Sequence, residues 1–249
     1  NPSIIYVGAA SGGLWKTSDD GATWTSLTDN LPNLGVTSIL VHPANPDIMY
    51  MATGDADGFD TYSFGIMKSL DAGQTWKLTG FTSPLPELLL VAKLKFHPSN
   101  PDIIYAATKK GIYKTVNAGA AWVLKQAGRF KDIEVHPTDS TIWIASQFSG
   151  GIYRSVDSGE TWGTVTNGLP TGGFSRIAVE FAPSAPHIVY ALYVNTSDEG
   201  YYGLYRSDDT GNTWRLQSNS PNILGWESNG SDFGGQGEYD LTLNVHPTL

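Results

Sequence analysis

Thr17-Ser-Asp19-Asp-Gly21-Ala-Thr23-Trp24 is the first of five similar octapeptides in this chain of 249 residues. The other copies begin at residues 69, 115, 155 and 207, so successive copies start 52, 46, 40 and 52 residues apart. A tetrapeptide such as Gly111-Ile-Tyr-Lys114 precedes each octapeptide directly, and a His-Pro segment such as His97-Pro-Ser-Asn-Pro-Asp-Ile-Ile-Tyr105 recurs between them. A period of this length is typical of an architecture in which each repeat forms one small structural unit.

The octapeptide predicts a tight turn between two strands. Its third residue can accept a backbone N–H two residues further on and close an Asx-turn, and its glycine can adopt a positive φ angle. The threonine begins the next strand, and the tryptophan offers a large apolar face for packing between sheets. The third residues are Asp19, Asp71, Asn117, Asp157 and Asp209, and the tryptophans are Trp24, Trp76, Trp122, Trp162 and Trp214. Because one copy has Asn, the position needs an acceptor rather than a charge, and we expect structural roles for these residues.

Each repeat resolves into four short strands. In the second repeat, residue alternation and turn residues predict strands at 36–42, 48–54, 65–70 and 75–79. Four antiparallel strands per repeat form one blade of a β-propeller, so the sequence predicts an all-β chain with a single propeller region over residues 1–249. Two arrangements are open, a closed five-bladed ring and an arc of a larger propeller. The arc is favoured because both termini fall inside a repeat motif.

The octapeptides resemble the Asp-box, or BNR, repeat of sialidases, xyloglucanases, sortilin-type receptors and many secreted bacterial β-propellers. The resemblance extends over essentially the whole chain and implies a propeller fold, but it leaves the activity open because one fold hosts many functions. The His-Pro segment together with Gly-Ile-Tyr-Lys is similar to secreted multidomain bacterial surface proteins, including cargo of the type IX secretion route. This similarity implies a secreted or cell-surface location in a bacterium and further domains in the same longer chain.

Composition excludes several other classes of protein. The chain has 15 Lys and Arg against 24 Asp and Glu, and this net charge of −9 disfavours binding to nucleic acid backbones. It has no cysteine, which excludes disulfides, thiolate zinc sites, iron–sulfur clusters and cysteine nucleophiles. The longest aliphatic run, Leu88–Ala92, is too short to cross a bilayer. We therefore expect no nucleic-acid partner, no membrane span and no required cofactor.

The two ends of the predicted blades differ in the length of their loops. In an antiparallel blade, the octapeptide turns and the His-Pro turns lie at the same end. The long irregular segments, 55–64, 80–87, 195–202 and 217–239, lie at the other end and are rich in acidic and aromatic residues. Loops on a rigid scaffold are where binding residues usually sit. The predicted ligand-binding residues on this face are Trp226, Tyr62, Tyr201, Tyr202, Glu227 and Asp232.

Trp226 is the one tryptophan that lies outside the repeat pattern. Two interpretations of it are open. In the first, the ring plugs its Gly-, Ser- and Asn-rich loop onto the propeller. In the second, the ring forms a flat, exposed platform for a sugar ring or a partner chain.

The sequence favours a non-catalytic module over an enzyme. The expected function is extracellular recognition or a structural role, with glycan or protein bound at the cell surface through the acidic and aromatic face, and no catalytic residue is assigned. The alternative is a glycoside hydrolase of the xyloglucanase type, which needs two carboxylates flanking the bond. Asp55 follows a strand in a place similar to that family's catalytic base, although the flanking residues differ. Sialidase activity is disfavoured because the resemblance implies an arginine cluster, for which too few arginines are free.

Asp55, Asp57 and Asp60 form an acidic run around a glycine. Alternate carboxylates of this kind can present several oxygens to Ca²⁺, although the twelve-residue calcium-loop pattern with a terminal Glu is missing. A solvated acidic turn without a metal would show the same run of residues.

If the run binds calcium, Ca²⁺ raises the melting temperature, because a ligand that binds only the folded state stabilises it. The variant Asp57→Ala then abolishes the rise. Thermal unfolding in Ca²⁺ and in chelator tests this expectation, and equal melting temperatures of the wild type in the two conditions contradict the calcium site.

Overall fold

The computed structural model describes residues 3–57, 61–82 and 89–248, in which every regular element is a β-strand. None of these residues forms a helix that is long and apolar enough to cross a membrane. The strands in the described residues are β1 (Ile5–Ala9), β2 (Gly13–Thr17), β3 (Thr25–Ser26), β4 (Val36–Val41), β5 (Met49–Thr53), β6 (Gly65–Ser69), β7 (Lys77–Thr82), β8 (Val91–His97), β9 (Asn100–Thr108), β10 (Gly111–Thr115), β11 (Val123–Ala127), β12 (Phe130–Val135), β13 (Trp143–Gln147), β14 (Gly151–Ser155), β15 (Gly163–Val165), β16 (Phe174–Phe181), β17 (Val189–Asn195), β18 (Tyr201–Ser207) and β19 (Arg215–Ser218).

The strands form five antiparallel sheets, and in each sheet the strands are adjacent in sequence order. The first sheet contains β1–β3, and the other four contain β4–β7, β8–β11, β12–β15 and β16–β19. This confirms the prediction of an all-β chain of four-stranded propeller blades. In the second repeat, β4 to β6 begin and end within one residue of the predicted bounds. Strand β7 begins at Lys77 rather than Thr75, because the N–H and hydroxyl of Thr75 belong to the turn and both donate to Asp71.

The chain divides into two compact units, which are described separately: residues 1–109 with 113–123, and residues 110–112 with 124–249. In the first unit, one apolar cluster includes Leu14 and Met49 from the first two sheets, and another includes residues of the second and third sheets. In the second unit, the main cluster includes Ile144 and Phe181 from the fourth and fifth sheets. Within each unit, the core therefore consists of apolar layers between successive sheets.

Residues 241–246 lead into the last His-Pro dipeptide, His246-Pro247. In the described part of the chain, this segment pairs with no strand. Leu241 is instead 7% exposed and packs with Ala178, Leu192 and Val194 of the fifth sheet. The segment is therefore held by apolar burial against β16 and β17 rather than by a ladder of backbone hydrogen bonds.

Two side chains close each octapeptide turn. In the second copy, the Ser69 hydroxyl accepts from the Gly73 N–H at 2.8 Å, and Asp71 accepts from the N–H four residues further on rather than two, as an Asx-turn would require. In the second copy, Oδ1 of Asp71 accepts from the Ser69 hydroxyl at 2.7 Å and from the Thr75 N–H at 2.8 Å, and Oδ2 accepts from the Thr75 hydroxyl at 2.6 Å. The two residues at the tip, Ala72 and Gly73, both have positive φ angles, of 57° and 86°. The sequence predicts this conformation only for the glycine. A residue with a side chain rarely adopts it, so the hydrogen bonds to Ser69 and Asp71 hold the turn against backbone strain.

The third copy keeps the same turn without a carboxylate. Oδ1 of Asn117 accepts from the Thr115 hydroxyl at 2.8 Å and from the Ala121 N–H at 2.9 Å. In the other copies, Oδ2 of the aspartate accepts from the hydroxyl of the threonine. Ala121 has no hydroxyl, so the third copy does not need a second acceptor oxygen. This geometry agrees with the interpretation that the position requires an acceptor rather than a charge.

Each octapeptide turn lies beside the His-Pro turn of its own sheet. The N–H of Ala72 donates to the Asp47 carbonyl at 2.9 Å, and the N–H of Ser158 donates in the same way to Thr141 at 3.0 Å. Within the His-Pro turn, Nδ1 of His136 accepts from two backbone N–H groups of its own turn. The octapeptide and His-Pro turns therefore share one end of each sheet, and the longer loops lie at the other end.

In the second and fourth sheets, the cation that ends the Gly-x-x-Lys/Arg tetrapeptide contacts the octapeptide of the next sheet. Nζ of Lys68 lies 3.5 Å from the Ala118 carbonyl oxygen and 5.1 Å from the centre of the Tyr50 ring. In the fourth sheet, Nε of Arg154 donates to the Thr210 carbonyl at 2.9 Å. Ala118 and Thr210 are the residues with positive φ before the turn glycine. In both cases, the Lys or Arg side chain of one sheet thus contacts the tip of the octapeptide turn in the neighbouring sheet.

The octapeptide hydrogen bonds also lower the pKa of the aspartate. The Thr75 hydroxyl, the Thr75 N–H and the Ser69 hydroxyl bring the pKa of Asp71 to about 2, below its ordinary value of 3.8. A carboxyl group whose pKa is lower in the folded state stabilises the fold above its unfolded pKa. This contribution is lost as the pH falls from about 4 to about 2.

The double variant Asp71→Asn/Thr75→Ala reproduces the third copy of the octapeptide. We expect it to fold at neutral pH and to lose less melting temperature than the wild type as the pH falls from about 5 to about 2, because one titrating carboxyl group is gone. Thermal unfolding at a series of pH values measures the difference. An equal loss in both proteins would show that the turn hydrogen bonds do not create the acid sensitivity.

Candidate functional site

In the first unit, a groove of about 440 Å³ opens at the end of the sheets away from the octapeptide turns. Its lining comes from the β1–β2, β3–β4 and β5–β6 loops, which meet at this end. The lining residues are Ser11, Pro32, Asn33, Leu34, Thr61, Tyr62 and Phe64. The groove thus lies on the face where the sequence predicts ligand binding.

Close approach of backbone atoms holds these three loops together. The Thr61 hydroxyl donates to the Ala10 carbonyl at 2.9 Å, and the Gly54 N–H donates to the Gly35 carbonyl at 2.9 Å. A Cβ atom on Gly35 would lie 2.7 Å from the Gly54 oxygen and 2.8 Å from the Ala10 oxygen. A larger residue would therefore separate the loops. Contacts within the first unit therefore fix the shape of the groove.

Tyr62 presents an exposed aromatic face on the groove. Its side chain is 59% exposed, while its carbonyl accepts a hydrogen bond from the side-chain amide of Asn33. Oδ1 of Asn33 also accepts from the Gly35 N–H at 2.8 Å. The backbone of Tyr62 is therefore held in place while its ring stays accessible, an arrangement that suits contact with the apolar face of a ligand.

The backbone of Asp55 is hydrogen-bonded to a residue that lines the groove. Asp55 lies two residues after the end of β5, and its N–H donates to the carbonyl of Thr61 at 3.3 Å. The residue is 7% exposed, and its Oδ1 accepts from the Asp57 N–H at 2.9 Å. The backbone of Asp55 therefore adjoins the wall of the groove, and its side chain is buried.

The acidic run that predicts a calcium site is only partly described. Asp60 lies outside the described residues, whereas Asp55 and Asp57 lie within them. In residues 3–57, 61–82 and 89–248, no group of three or more His, Asp or Glu side chains is arranged to hold a metal ion. The calcium site stays a prediction.

In the second unit, Trp226 projects from the loop that follows β19. Its side chain is 67% exposed, and that of the neighbouring Phe233 is 89% exposed. The ring atoms Cζ3 and Cη2 of Trp226 lie 3.4 and 3.7 Å from the place where a Cβ atom on Gly234 would sit. One part of the ring therefore rests against backbone and the rest faces solvent. A plug would be buried, so this geometry favours the platform interpretation.

The Trp226 loop is anchored to the fifth sheet. Oδ1 of Asn222 accepts from the Tyr201 N–H at 3.0 Å, and the Asn222 amide donates to the Gly234 carbonyl at 2.8 Å. The Gly235 N–H donates to the Asp198 carbonyl at 3.0 Å. These bonds fix the loop before any ligand binds, which lowers the entropic cost of binding.

Asp232 and Glu227 differ in their surroundings. Oδ2 of Asp232 accepts from the Trp226 N–H at 2.6 Å, and its Oδ1 is buried with no hydrogen-bond partner in the described structure. Asp232 therefore holds the backbone of Trp226. Glu227 is exposed beside it.

Tyr201 and Tyr202 lie in strand β18, whereas the sequence predicts a loop at these positions. The Tyr201 hydroxyl donates to the Ser218 carbonyl at 2.7 Å. The Tyr202 ring packs edge-on against Phe174, with 6.2 Å between the ring centres. Both rings are half-buried and support the fifth sheet, because the connection between β17 and β18 is shorter than its composition indicates.

Arg176 is a structural residue of this region that sequence reasoning did not identify. Its Nη1 donates to the carbonyl oxygens of Glu238 at 2.5 Å and Tyr239 at 2.8 Å. The guanidinium group on β16 thus fixes the segment after the Trp226 loop. The sequence contains no signal for this role, because the partners are backbone carbonyls more than 60 residues away.

Comparisons with known proteins give several relatives. A family model described as "Sortilin, neurotensin receptor 3" matches residues 12–129. A xyloglucanase of Hypocrea jecorina is 28% identical over 221 residues, which cover 85% of this chain and 23% of that protein. Xyloglucanase Xgh74A of Acetivibrio thermocellus is 24% identical over 233 residues, which cover 89% of this chain and 25% of that protein. The chain therefore spans about a quarter of the length of these curated relatives.

Solved structures with the same fold include two enzymes described as GH74. An ancestral GH74 enzyme superposes with a TM-score of 0.69 at 18% identity, over 91% of this chain and 30% of that one. The GH74 enzyme of Niastella koreensis superposes with a TM-score of 0.64 at 21% identity, over 86% of this chain and 35% of that one. At these identities the superpositions establish the fold, which is that of a β-propeller.

The comparisons overturn the prediction of a non-catalytic module. The relatives that match most of this chain are xyloglucanases, so they support the enzyme alternative. The prediction was wrong because it gave weight to the residues around Asp55, which differ from the xyloglucanase pattern, and to the similarity of the His-Pro and Gly-Ile-Tyr-Lys segments to bacterial surface proteins. Propellers of this kind serve binding modules and enzymes alike.

The exposure of Trp226 predicts that its ring contributes little to stability. We expect Trp226→Ala to lower the free energy of unfolding by less than about 1 kcal/mol, as for other exposed sites. The matched control is Trp214→Ala, because Trp214 is 6% exposed in the core of the same unit. Trp214→Ala should lower the free energy of unfolding by about 3–5 kcal/mol. Urea unfolding compares the two, and similar losses would mean that Trp226 is a plug.

Proposed function

We propose that this chain is a segment of an extracellular glycoside hydrolase that cleaves a β-glucan of the xyloglucan type. The observation that carries the proposal is the similarity to xyloglucanases, which extends over 85–89% of the chain. The groove of the first unit supports it, because a preformed cleft with aromatic and polar walls is the usual form of a ligand site. The buried carboxyl group of Asp55 beside that groove supplies chemistry that such a reaction needs.

Asp55 is proposed as one of the two carboxyl groups of the reaction. Glycosidic bonds are cleaved between two carboxyl groups, about 5–5.5 Å apart in retaining enzymes and about 6.5–9.5 Å apart in inverting ones. As the acid, Asp55 would protonate the leaving-group oxygen, and as the base it would take a proton from the attacking water. The hydrogen bond from Asp57 to Oδ1 orients the group for either role.

Tyr62 and Trp226 are proposed as platforms for sugar rings. A pyranose ring presents C–H groups on its face, which pack against an aromatic ring while the hydroxyl groups point outwards. Glu227, next to Trp226, can accept hydrogen bonds from those hydroxyl groups. In this proposal, Asp232 supports the platform by holding the backbone of Trp226. Tyr201 and Tyr202 support it by stabilising the fifth sheet. A neutral glucan also avoids repulsion by a chain with a net charge of −9.

The remaining expectations from the sequence fit the same proposal. The octapeptides are proposed to be Asp boxes, a reading supported by their sequence and by the shared turn geometry. The protein is proposed to act outside a bacterial cell or at its surface, together with other domains of the same longer chain. Export by the type IX route and a calcium ion at Asp55, Asp57 and Asp60 are further proposals that rest on sequence similarity alone.

The test uses the full-length protein that contains this chain and measures reducing ends released from xyloglucan. We expect Asp55→Asn to lower kcat by about 10²–10⁴-fold, because positioned acid–base groups contribute effects of this size. The KM should change little, since the amide keeps the size and the Oδ1 acceptor of the carboxylate.

The matched control is Asp47→Asn, an exposed residue at the octapeptide end of the same sheet. It removes the same charge at a distance from the groove and should leave kcat unchanged. Melting temperatures confirm that both variants fold. Wild-type protein that releases no reducing ends would contradict the proposed activity, and full activity in Asp55→Asn would contradict the role of Asp55.

A further inference from the structure

Two lysines face each other on the second sheet. Strands β6 and β7 pair with Lys68 directly opposite Lys77. Residues opposed in this way have Cβ atoms about 4.5–5.5 Å apart, and like charges at this distance destabilise the pair. Of the described residues, no carboxylate forms an ion pair with either ammonium group. The chain thus keeps two adjacent positive charges without an acidic partner, although its net charge is −9.

The fifth sheet also contains two opposed cations, but there a carboxylate balances their charge. Arg206 lies directly opposite Arg215 across β18 and β19. Oδ1 of Asp208 accepts from Nε of Arg206 at 2.9 Å, and Oδ2 accepts from Nη2 of Arg215 at 2.9 Å. The hydrogen bonds from Arg206 and then Arg215 lower the pKa of Asp208. One carboxylate therefore bridges the two opposed cations.

Leu70 occupies the corresponding position on the second sheet. Leu70 and Asp208 are both the second residue of their octapeptides. Leu70 is 66% exposed, so the apolar residue in place of the bridging acid faces solvent. A second cation is not a general requirement of the repeat, because Lys16 faces Thr25 and Arg154 faces Gly163 in other sheets.

A pocket of about 330 Å³ opens beside the two lysines, within the first unit. Its walls include Lys68, Lys77, Leu70 and Leu78, together with the tip of the third octapeptide. Leu78 is 52% exposed. The third octapeptide carries Asn117 where the other copies carry an aspartate, so this wall has no acidic side chain. The pocket therefore combines two cations with exposed apolar surface.

We infer that this pocket binds the carboxylate of a small ligand with an apolar body. The carboxylate takes the place between Lys68 and Lys77 that Asp208 takes between the two arginines of the fifth sheet, and it accepts charge-assisted hydrogen bonds from both lysines. The apolar body covers Leu70 and Leu78, whose burial adds to the affinity. The site lies at the octapeptide end and does not depend on the proposed glycan groove.

Octanoate is a suitable probe, with 1-octanol as the neutral control of the same chain length. Titration calorimetry should show that the full-length protein binds octanoate at least about tenfold more tightly than octanol, a difference of about 1.4 kcal/mol. The variant Lys77→Gln should remove most of this preference. Added salt should weaken octanoate binding, because salt screens exposed charges.

The decisive variant is Leu70→Asp, which places a carboxylate where the fifth sheet has one. We expect it to abolish octanoate binding while keeping or raising the melting temperature, because the new carboxylate occupies the site and relieves the repulsion. Release of reducing ends from xyloglucan should stay unchanged in both variants, so failure of this site and failure of the proposed activity are distinguishable. Equal binding of octanoate and octanol, no octanoate binding by the wild type, or undiminished binding by Leu70→Asp would overturn the inference.

Discussion

Two side-chain acceptors hold the left-handed backbone of every octapeptide turn, and the sheets depend on these interactions. The hydroxyl of the first residue accepts from the N–H of the turn glycine. The aspartate or asparagine accepts from the N–H of the residue two positions before the next strand, so the end of the turn is fixed where the strand begins. The residue before the turn glycine then offers its carbonyl to a cation of the preceding sheet, as Ala118 does to Lys68 and Thr210 to Arg154. One local hydrogen-bond pattern therefore serves both the turn and the contact between neighbouring sheets.

The ends of the sheets perform different tasks. The octapeptide end carries short, repeated turns whose polar groups bond to one another, so their sequence is set by turn geometry. The other end carries loops of unequal length, and in the first unit three of these loops form the groove beside Asp55. This division explains how one set of repeats is compatible with unrelated activities.

The fold could be predicted from the sequence because its signals are local. The octapeptide and the strand alternation each involve a few consecutive residues, and strands β4 to β6 were placed within one residue. The groove could not be predicted, because it depends on the approach of Gly35 to Gly54 and Ala10 across three loops. The exposure of Trp226 was likewise open, since it depends on the bonds that Asn222 makes with Gly234 and Tyr201. The Lys68 and Lys77 pair emerges only from the register of two strands.

We propose that the loops away from the octapeptides form a glycan-binding face. The most direct measurement is the mapping of backbone NMR shifts on addition of a xyloglucan oligosaccharide. We expect the shifts to be concentrated in the loops of the groove and around Trp226, with no change at the N–H groups bonded to the octapeptide acceptors. Shifts confined to the octapeptide turns, or no shifts with saturating oligosaccharide, would contradict it.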